Sequence, residues 1–353
     1  MNLDDLSSLS ALDSQQLLAA LESLPERLQA SWQAGLQQPL PGWAAPQYVL
    51  LAGVEGAASA AELLAAYAAP LCRLPIVVHQ NDEQPAWAAG PHTLVIAASP
   101  TGNDPEVIAA YQTALQHNCA CLAISAGGQL AALAQAARQP FWLLPAHSPA
   151  EADAAAFFGH LLAIFFRLGL LPDPSAELAS AITSLENQRS ALLPGIPASR
   201  NPAKRMAGQL VGRNAAIFGA GLLAPVARHW KNQINRCAKA WAQADTFPSA
   251  GHTALGATLQ PETPLAALMV IFLRSPDESC RSALRGELTR QAYMVEGLNT
   301  DFVDAAGPGP LAQQWTCLQI GEYIAIYLAL AYGLDPAPSE ILAALKQEIN
   351  RLE

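Results

Sequence analysis

The sequence predicts an α/β fold: two doubly wound parallel-sheet domains in tandem, behind an N-terminal helical arm. Three observations carry this. Apolar runs of strand length recur, each closed by a turn and most followed by a helical stretch, as buried parallel strands require. The same strand, Gly-bearing turn and helix appear twice, at Tyr48–Gly56 and again at Asn214–Gly221. With 353 residues, 52% of them apolar and 14% charged, the chain has material for about two domains, each with a large core.

The arm, residues 1–42, holds an amphipathic helical stretch over 14–36, broken near Pro25, and ends in the hinge Pro39-Leu40-Pro41-Gly42. The first domain, residues 43–172, takes strands at Tyr48–Ala52, Leu74–His79, Thr93–Ala98, Cys119–Ser125 and Phe141–Pro145. Helices follow at Ala57–Ala69, from the Ser99–Glu106 loop to His117, and after Gly127-Gly128; the long apolar segment Ala154–Leu171 closes the domain. Leu171-Pro172-Asp173-Pro174 marks the boundary. The second domain, residues 173–353, takes helices at 175–193 and 222–240, strands at Asn214–Phe218, Leu268–Leu273 and Tyr293–Glu296, and final helices at Gln313–Tyr332 and Pro338–Leu352.

Composition excludes some functions. A net charge of −10 leaves no basic surface for nucleic acid or an anionic membrane. His160 and Arg167 interrupt the apolar segment 154–171, so it reads as a buried helix rather than a membrane span. The six cysteines, at 72, 119, 121, 237, 280 and 317, lack the spacing of a zinc or redox motif. They read as structural thiols of a reducing compartment, and Met1–Ser10 lacks the apolar core of a signal peptide, so a cytoplasmic protein is expected.

In an open parallel sheet, ligands sit beyond the carboxyl ends of the strands, against helix N-termini. The loops Gly53–Ala58, Ser99–Asp104 and Ser125–Gln129 are therefore the candidate binding elements. Gly53-Val54-Glu55-Gly56-Ala57-Ala58 does not fit the G-x-G-x-x-G of a dinucleotide site. In the second loop, Asp104 suits the helix N-cap, Pro105 the first turn, and Glu106 the helix dipole. Asp104 and Glu55 also put negative charge where a phosphate would sit.

These three loops resemble those of sugar isomerase (SIS) domains. More narrowly, the chain resembles the bifunctional phosphoglucose/phosphomannose isomerase family, which carries two SIS domains in tandem. That family's N-E-x-N-E-N-A-K stretch is similar to Asn232–Lys239, and its downstream His falls at His252. Its ending is similar to Gly321-Glu322-Tyr323, Leu328-Ala329 and Gly333-Leu334-Asp335-Pro336-Ala337-Pro338. The resemblance covers residues 45–353.

The resemblance implies aldose–ketose isomerisation of glucose 6-phosphate or mannose 6-phosphate to fructose 6-phosphate through a cis-enediol, without metal or cofactor. It implies a Glu that moves a proton between C1 and C2, and a His, lent by the partner subunit, that helps open the ring. The Glu positions here hold Gln233 and Arg236, neither of which is a base near neutral pH. The resemblance gives His252 and Arg236 the catalytic positions. It gives Gly53, Gly56, Ala57, Ser99, Thr101, Gly102, Asn103, Asp104 and Lys239 the substrate-binding positions, with Ala57 where the family has Ser, Asp104 where it has Thr, and its Arg falling near Ala155. A homodimer with sites completed across subunits is expected, also because helix 154–171 needs a dry face. The alternative is a catalytically silent SIS protein that binds a sugar or sugar phosphate in a regulatory or scaffolding role.

Overall fold

A computed structural model of the chain describes residues 2–144, 154–337 and 339–349. The chain forms two compact units, Glu26–Ser175 and a second made of Met1–Pro25 with Ala176–Glu353. The arm expected over 1–42 is thus divided between them. It contributes α1 (Leu6–Leu12), α2 (Leu17–Glu22) and α3 (Leu24–Gln37), with the division in the first turn of α3.

In the unit 26–175, β1 (Tyr48–Gly53), α4 (Glu55–Ala68), β2 (Ile76–His79), β3 (Thr93–Ser99), α5 (Pro105–Gln116), β4 (Ala120–Ser125), α6 (Gly128–Ala136), β5 (Phe141–Leu143) and α7 (Ala154–Arg167) follow in order. All strands are parallel, in the order β2-β1-β3-β4-β5. The centre of the sheet is buried on both faces, which is why β3 and β4 read as unbroken apolar runs. Pro145, expected to end the fifth strand, lies outside the described residues.

Helix α7, with 14 residues, rises about 21 Å, short of the roughly 30 Å a membrane core demands. Among the described residues, no helix is long and apolar enough to cross a membrane. Its apolar faces are covered inside its own unit. Trp32 of α3 lies 5.8 Å from the Phe166 ring, Ser31 Oγ donates to the Ala155 carbonyl at 2.8 Å, and α4 packs along α7. Arg167 Nη1 caps α3 by donating to the carbonyls of Gly35 (2.8 Å) and Gln38 (2.6 Å). The dry face expected to call for a partner subunit is therefore supplied by α3 and α4.

The other unit continues with α8 (Ser175–Leu192), α9 (Pro202–Leu210), β6 (Asn214–Ala220), α10 (Ala224–Cys237), β7 (Ala242–Phe247), α11 (Glu262–Ala266), β8 (Leu268–Arg274), α12 (Cys280–Val295), β9 (Asn299–Asp304), α13 (Gly309–Ala331) and α14 (Glu340–Ile349). Its parallel sheet runs β7-β6-β8-β9. Tyr293–Glu296 is not a strand. Tyr293, Met294 and Val295 form the last turn of α12, which stops before Gly297 at φ +79°, and the strand comes afterwards as β9. The edge strands β7 (AQADTF) and β9 (NTDFVD) are only partly buried, so they escape a search for apolar runs. Pro338 and residues 350–352 of the expected last helix lie outside the described residues.

Helix α13 is the spine of this unit. Residues 311–321 and 323–330 are all buried, and α9, α10 and α2 pack against it. The closest crossing is with α10. Trp230 is fully buried and its Nε1 donates to the Cys317 carbonyl at 2.8 Å, so the indole lies flat on Gly321. A Cβ at Gly321 would stand 2.0 Å from Trp230 Nε1. Residues 2–25 are fastened to the same unit by Asp4, which accepts from the Ala198 N–H (2.8 Å) and from Lys204 Nζ (3.1 Å), a side chain wholly buried beneath it.

Both contacts can be tested by substitution. Gly321→Ala should cost about 1–3 kcal/mol, the usual penalty of overpacking, read as a lowered denaturation midpoint with an unchanged slope. The Ala198 N–H, followed by Lys204, holds the Asp4 carboxyl below its ordinary value. A depressed folded-state value means stability that is present above the unfolded value and lost as pH falls through the folded one. Asp4→Asn should therefore melt earlier than the parent protein at pH 7, and the gap between them should close below about pH 4.

Candidate functional site

The candidate loops of the unit 26–175 sit at the carboxyl ends of β1, β3 and β4, on either side of the point where the strand order reverses. Gly53 ends β1, and buried Gly56 and Ala57 open α4. The Ala57 methyl packs 3.1 Å from where a Cβ on Gly53 would stand, so this turn is tight. Glu55 holds φ +50°, a left-handed conformation that costs a residue with a side chain roughly 1–2 kcal/mol. His79, at the end of β2, shares a narrow crevice with Gly53, Val54 and Glu106. Burial lowers its pKa, and its Nε2 is enclosed without a partner.

The second and third loops are locked into each other. Leu130 N–H donates to the Gly102 carbonyl (2.9 Å), and Gln129 N–H donates to Asn103 Oδ1 (3.0 Å). A Cβ at Gly102 would stand 1.9 Å from the Gly127 carbonyl oxygen, so only glycine permits this approach. Several donors that could hold a phosphate are already used. The Gly102 N–H donates to Ser99 Oγ (2.7 Å), and the Asn103 N–H donates to Thr101 Oγ1 (3.2 Å). The Ser99 hydroxyl itself donates to the Asp104 carboxylate. Asp104 occupies the N-cap position of α5, but its side chain does not cap the helix: it turns back to Ser99. Ala155, where the resemblance places an Arg, is a buried α7 residue.

In the other unit, the motif falls on the last turns of α10. His229, Gln233, Arg236 and Cys237, spaced four, three and one apart, share one face of that helix. Glu322 of α13 meets this face: its Oε1 lies 2.8 Å from His229 Nε2. Gln233 Nε2 stands 3.3 Å from the same ring nitrogen, and Arg236 Nη2 donates to Gln233 Oε1 at 3.1 Å. The His229 side chain is 2% exposed and that of Glu322 16%. Burial pushes the Cys237 thiol pKa up, so it is not a ready nucleophile. His229 and Glu322 were not among the residues singled out in the sequence. Their signals were there: His229 lies on the motif's own helical face, and Glu322 lies inside Gly321-Glu322-Tyr323.

Lys239 stands apart from this cluster. Its ammonium donates to the carbonyls of Cys237 (3.0 Å), Asp335 and Ala337 (2.6 Å), which uses all three of its protons. It ties the end of α10 to residues 335–337. His252 is exposed, at the turn that follows β7. Helix α10 runs back along β6 and β7 returns parallel to it, with Ala215 beside Ala242 and Ala220 beside Phe247. Arg236 and His252 therefore flank opposite ends of β7, about 20 Å apart within one chain. Among the described residues, no group of three or more His, Cys, Asp or Glu side chains is placed to hold a metal ion.

Residues 199–349 match the family described as bacterial phospho-glucose isomerase C-terminal SIS domain. The chain is 27% identical to a bifunctional phosphoglucose/phosphomannose isomerase of Caldicellulosiruptor bescii, over 96% of this chain and 100% of that protein. It is 21% identical to the protein of the same name from Aquifex aeolicus, over 77% of this chain and 84% of that one. In fold it is similar to a glucose-6-phosphate isomerase like protein from Thermus thermophilus, with TM-score 0.63, 21% identity and coverage of 98% and 99%. It is similar also to the C-terminal domain of glucosamine-fructose-6-phosphate aminotransferase from Francisella tularensis, with TM-score 0.66, 13% identity and coverage of 91% and 97%. Two parallel sheets, a bacterial phospho-glucose isomerase C-terminal SIS match over residues 199–349, and similarity over 96% of the chain thus make the chain similar to the tandem-SIS bifunctional phosphoglucose/phosphomannose isomerases.

Proposed function

We propose that the protein binds sugar phosphates and interconverts an aldose 6-phosphate with its 2-ketose, the glucose 6-phosphate, mannose 6-phosphate and fructose 6-phosphate reaction named by its relatives. The carrying observation is the α10 face, where a carboxylate and an imidazole, Glu322 and His229, lie beside the two motif positions that lack a carboxylate. The loops at 53–57, 99–104 and 125–129 are the sugar-phosphate recognition elements, with a weakened hold on the anion. Arg236 is a cation that meets the polar end of the ligand, and His252 is the ring-opening residue.

The separation of Arg236 from His252 supports a site completed across two subunits, because one chain cannot bring them together. A second reading, a silent sugar-phosphate binder, is favoured by Asp104 alone, whose carboxylate draws the Ser99 hydroxyl away from any phosphate. Glucose 6-phosphate and mannose 6-phosphate, assayed for conversion to fructose 6-phosphate alongside melting curves with each, separate the two. Melting shifts without turnover would favour the binder, and neither would sink both readings.

Asp104→Thr should free the Ser99 hydroxyl and remove a like charge. It should tighten phosphate-ester binding about tenfold, measured by calorimetry with glucose 6-phosphate. Sedimentation at micromolar concentration should give a homodimer, and a monomer would overturn the shared site.

A further inference from the structure

The α10 face holds a carboxylate that its motif lacks. Glu322 comes from α13, more than eighty residues away in sequence, and its Oε1 is fixed by His229 Nε2 at 2.8 Å. The His229 ring is held through Nε2, while Nδ1 is enclosed without a partner. Gln233 Nε2 reaches His229 Nε2 at 3.3 Å, and the Gln233 Oε1 accepts from the Arg236 guanidinium. The environment is largely enclosed, yet Glu322 keeps part of its side chain open.

We infer that Glu322 is the proton-carrying carboxylate of the isomerisation, moved from α10 to α13, and that His229 is the positioning residue that aims it. The inference rests on the isomerase reading above. With the sugar open, the Glu322 carboxylate takes the proton from C2 of the aldose. The C2–H pair becomes the C1–C2 double bond of the enediol, and the carbonyl oxygen O1 takes a proton from water. Glu322, now a carboxylic acid, returns its proton to C1 as the O2–H proton passes back to water and the C2 carbonyl forms. No oxidant or reductant enters, and the enzyme ends as it began. Arg236, whose guanidinium has further N–H donors beyond the one given to Gln233, faces the charge that develops on O1 and O2.

The test measures fructose 6-phosphate turnover and deuterium uptake at its C1 in D₂O, with melting curves to read folding and ligand binding. Glu322→Gln keeps the shape and hydrogen-bonding reach of the side chain. It should lower kcat and deuterium uptake by about 10²–10⁴-fold while KM moves less than about threefold. Glu322→Asp, which keeps the acid one bond shorter, should recover part of that loss. His229→Asn should lower kcat with little change in KM, the split expected when only aim is lost. A Glu322→Gln protein that folds, binds and retains a tenth or more of the parent kcat would overturn the inference. A parent protein that binds fructose 6-phosphate but exchanges no deuterium would overturn it while leaving sugar-phosphate binding intact. A parent that does neither would overturn the isomerase reading and this inference together.

Discussion

The crossing of α10 over α13 is the constraint on which the rest of the C-terminal unit depends. Helix α13 is buried almost all round, so every neighbour must approach it through side-chain gaps, and Gly321 is the gap that admits Trp230. The Trp230 bond to the Cys317 carbonyl fixes the rotation of α10 about its own axis. Once that rotation is set, Gln233 three residues later faces α13 as well, and His229, one turn before Gln233, meets Glu322. Glu322 follows Gly321 directly, so the residue that permits the crossing also delivers the carboxylate to the motif's face. Packing and chemistry are set here by one pair of neighbouring residues.

The loops of the other unit show a different economy. Their glycines still allow the close backbone approach that ligand loops require, yet the N–H and hydroxyl donors are bonded among themselves through Ser99, Thr101, Asn103 and Asp104. A loop satisfied by its own side chains is rigid and well formed, but an incoming anion must displace those bonds before it gains any. The left-handed Glu55 belongs to the same pattern, since it places a charged residue where the backbone would favour glycine.

Most of the fold was legible in the sequence because central parallel strands must be apolar on both faces. Thr93–Ser99 and Ala120–Ser125 could scarcely be read as anything else. The edges were not legible: β7 and β9 carry Gln, Asp, Thr and Asn because one side of an edge strand meets water, and Tyr293–Val295 mimics a strand while ending a helix. The division of residues 1–42 between the units was also hidden, since Asp4 and Ser31 find their partners far along the chain. In the candidate site, residue types marked the loops, while the Glu positions at 233 and 236 came from the family resemblance alone. The direction of the Asp104 side chain and the meeting of His229 with Glu322 depend on tertiary contacts that no local pattern carries.

That meeting also changes how Arg236 is understood. Beyond the dominant effect of burial, the Cys237 thiol feels Arg236 and Glu322 with opposite signs, the guanidinium lowering its pKa and the carboxylate raising it. The two charges therefore flank the same buried point. A Glu at 236 would set a second carboxylate near Glu322 in a poorly hydrated setting, where two like charges resist ionising together. An Arg there offsets the Glu322 charge instead. The positive residue in the motif and the negative one on α13 are thus best understood as one electrostatic arrangement. It cannot be undone at position 236 alone without disturbing the carboxylate that His229 holds.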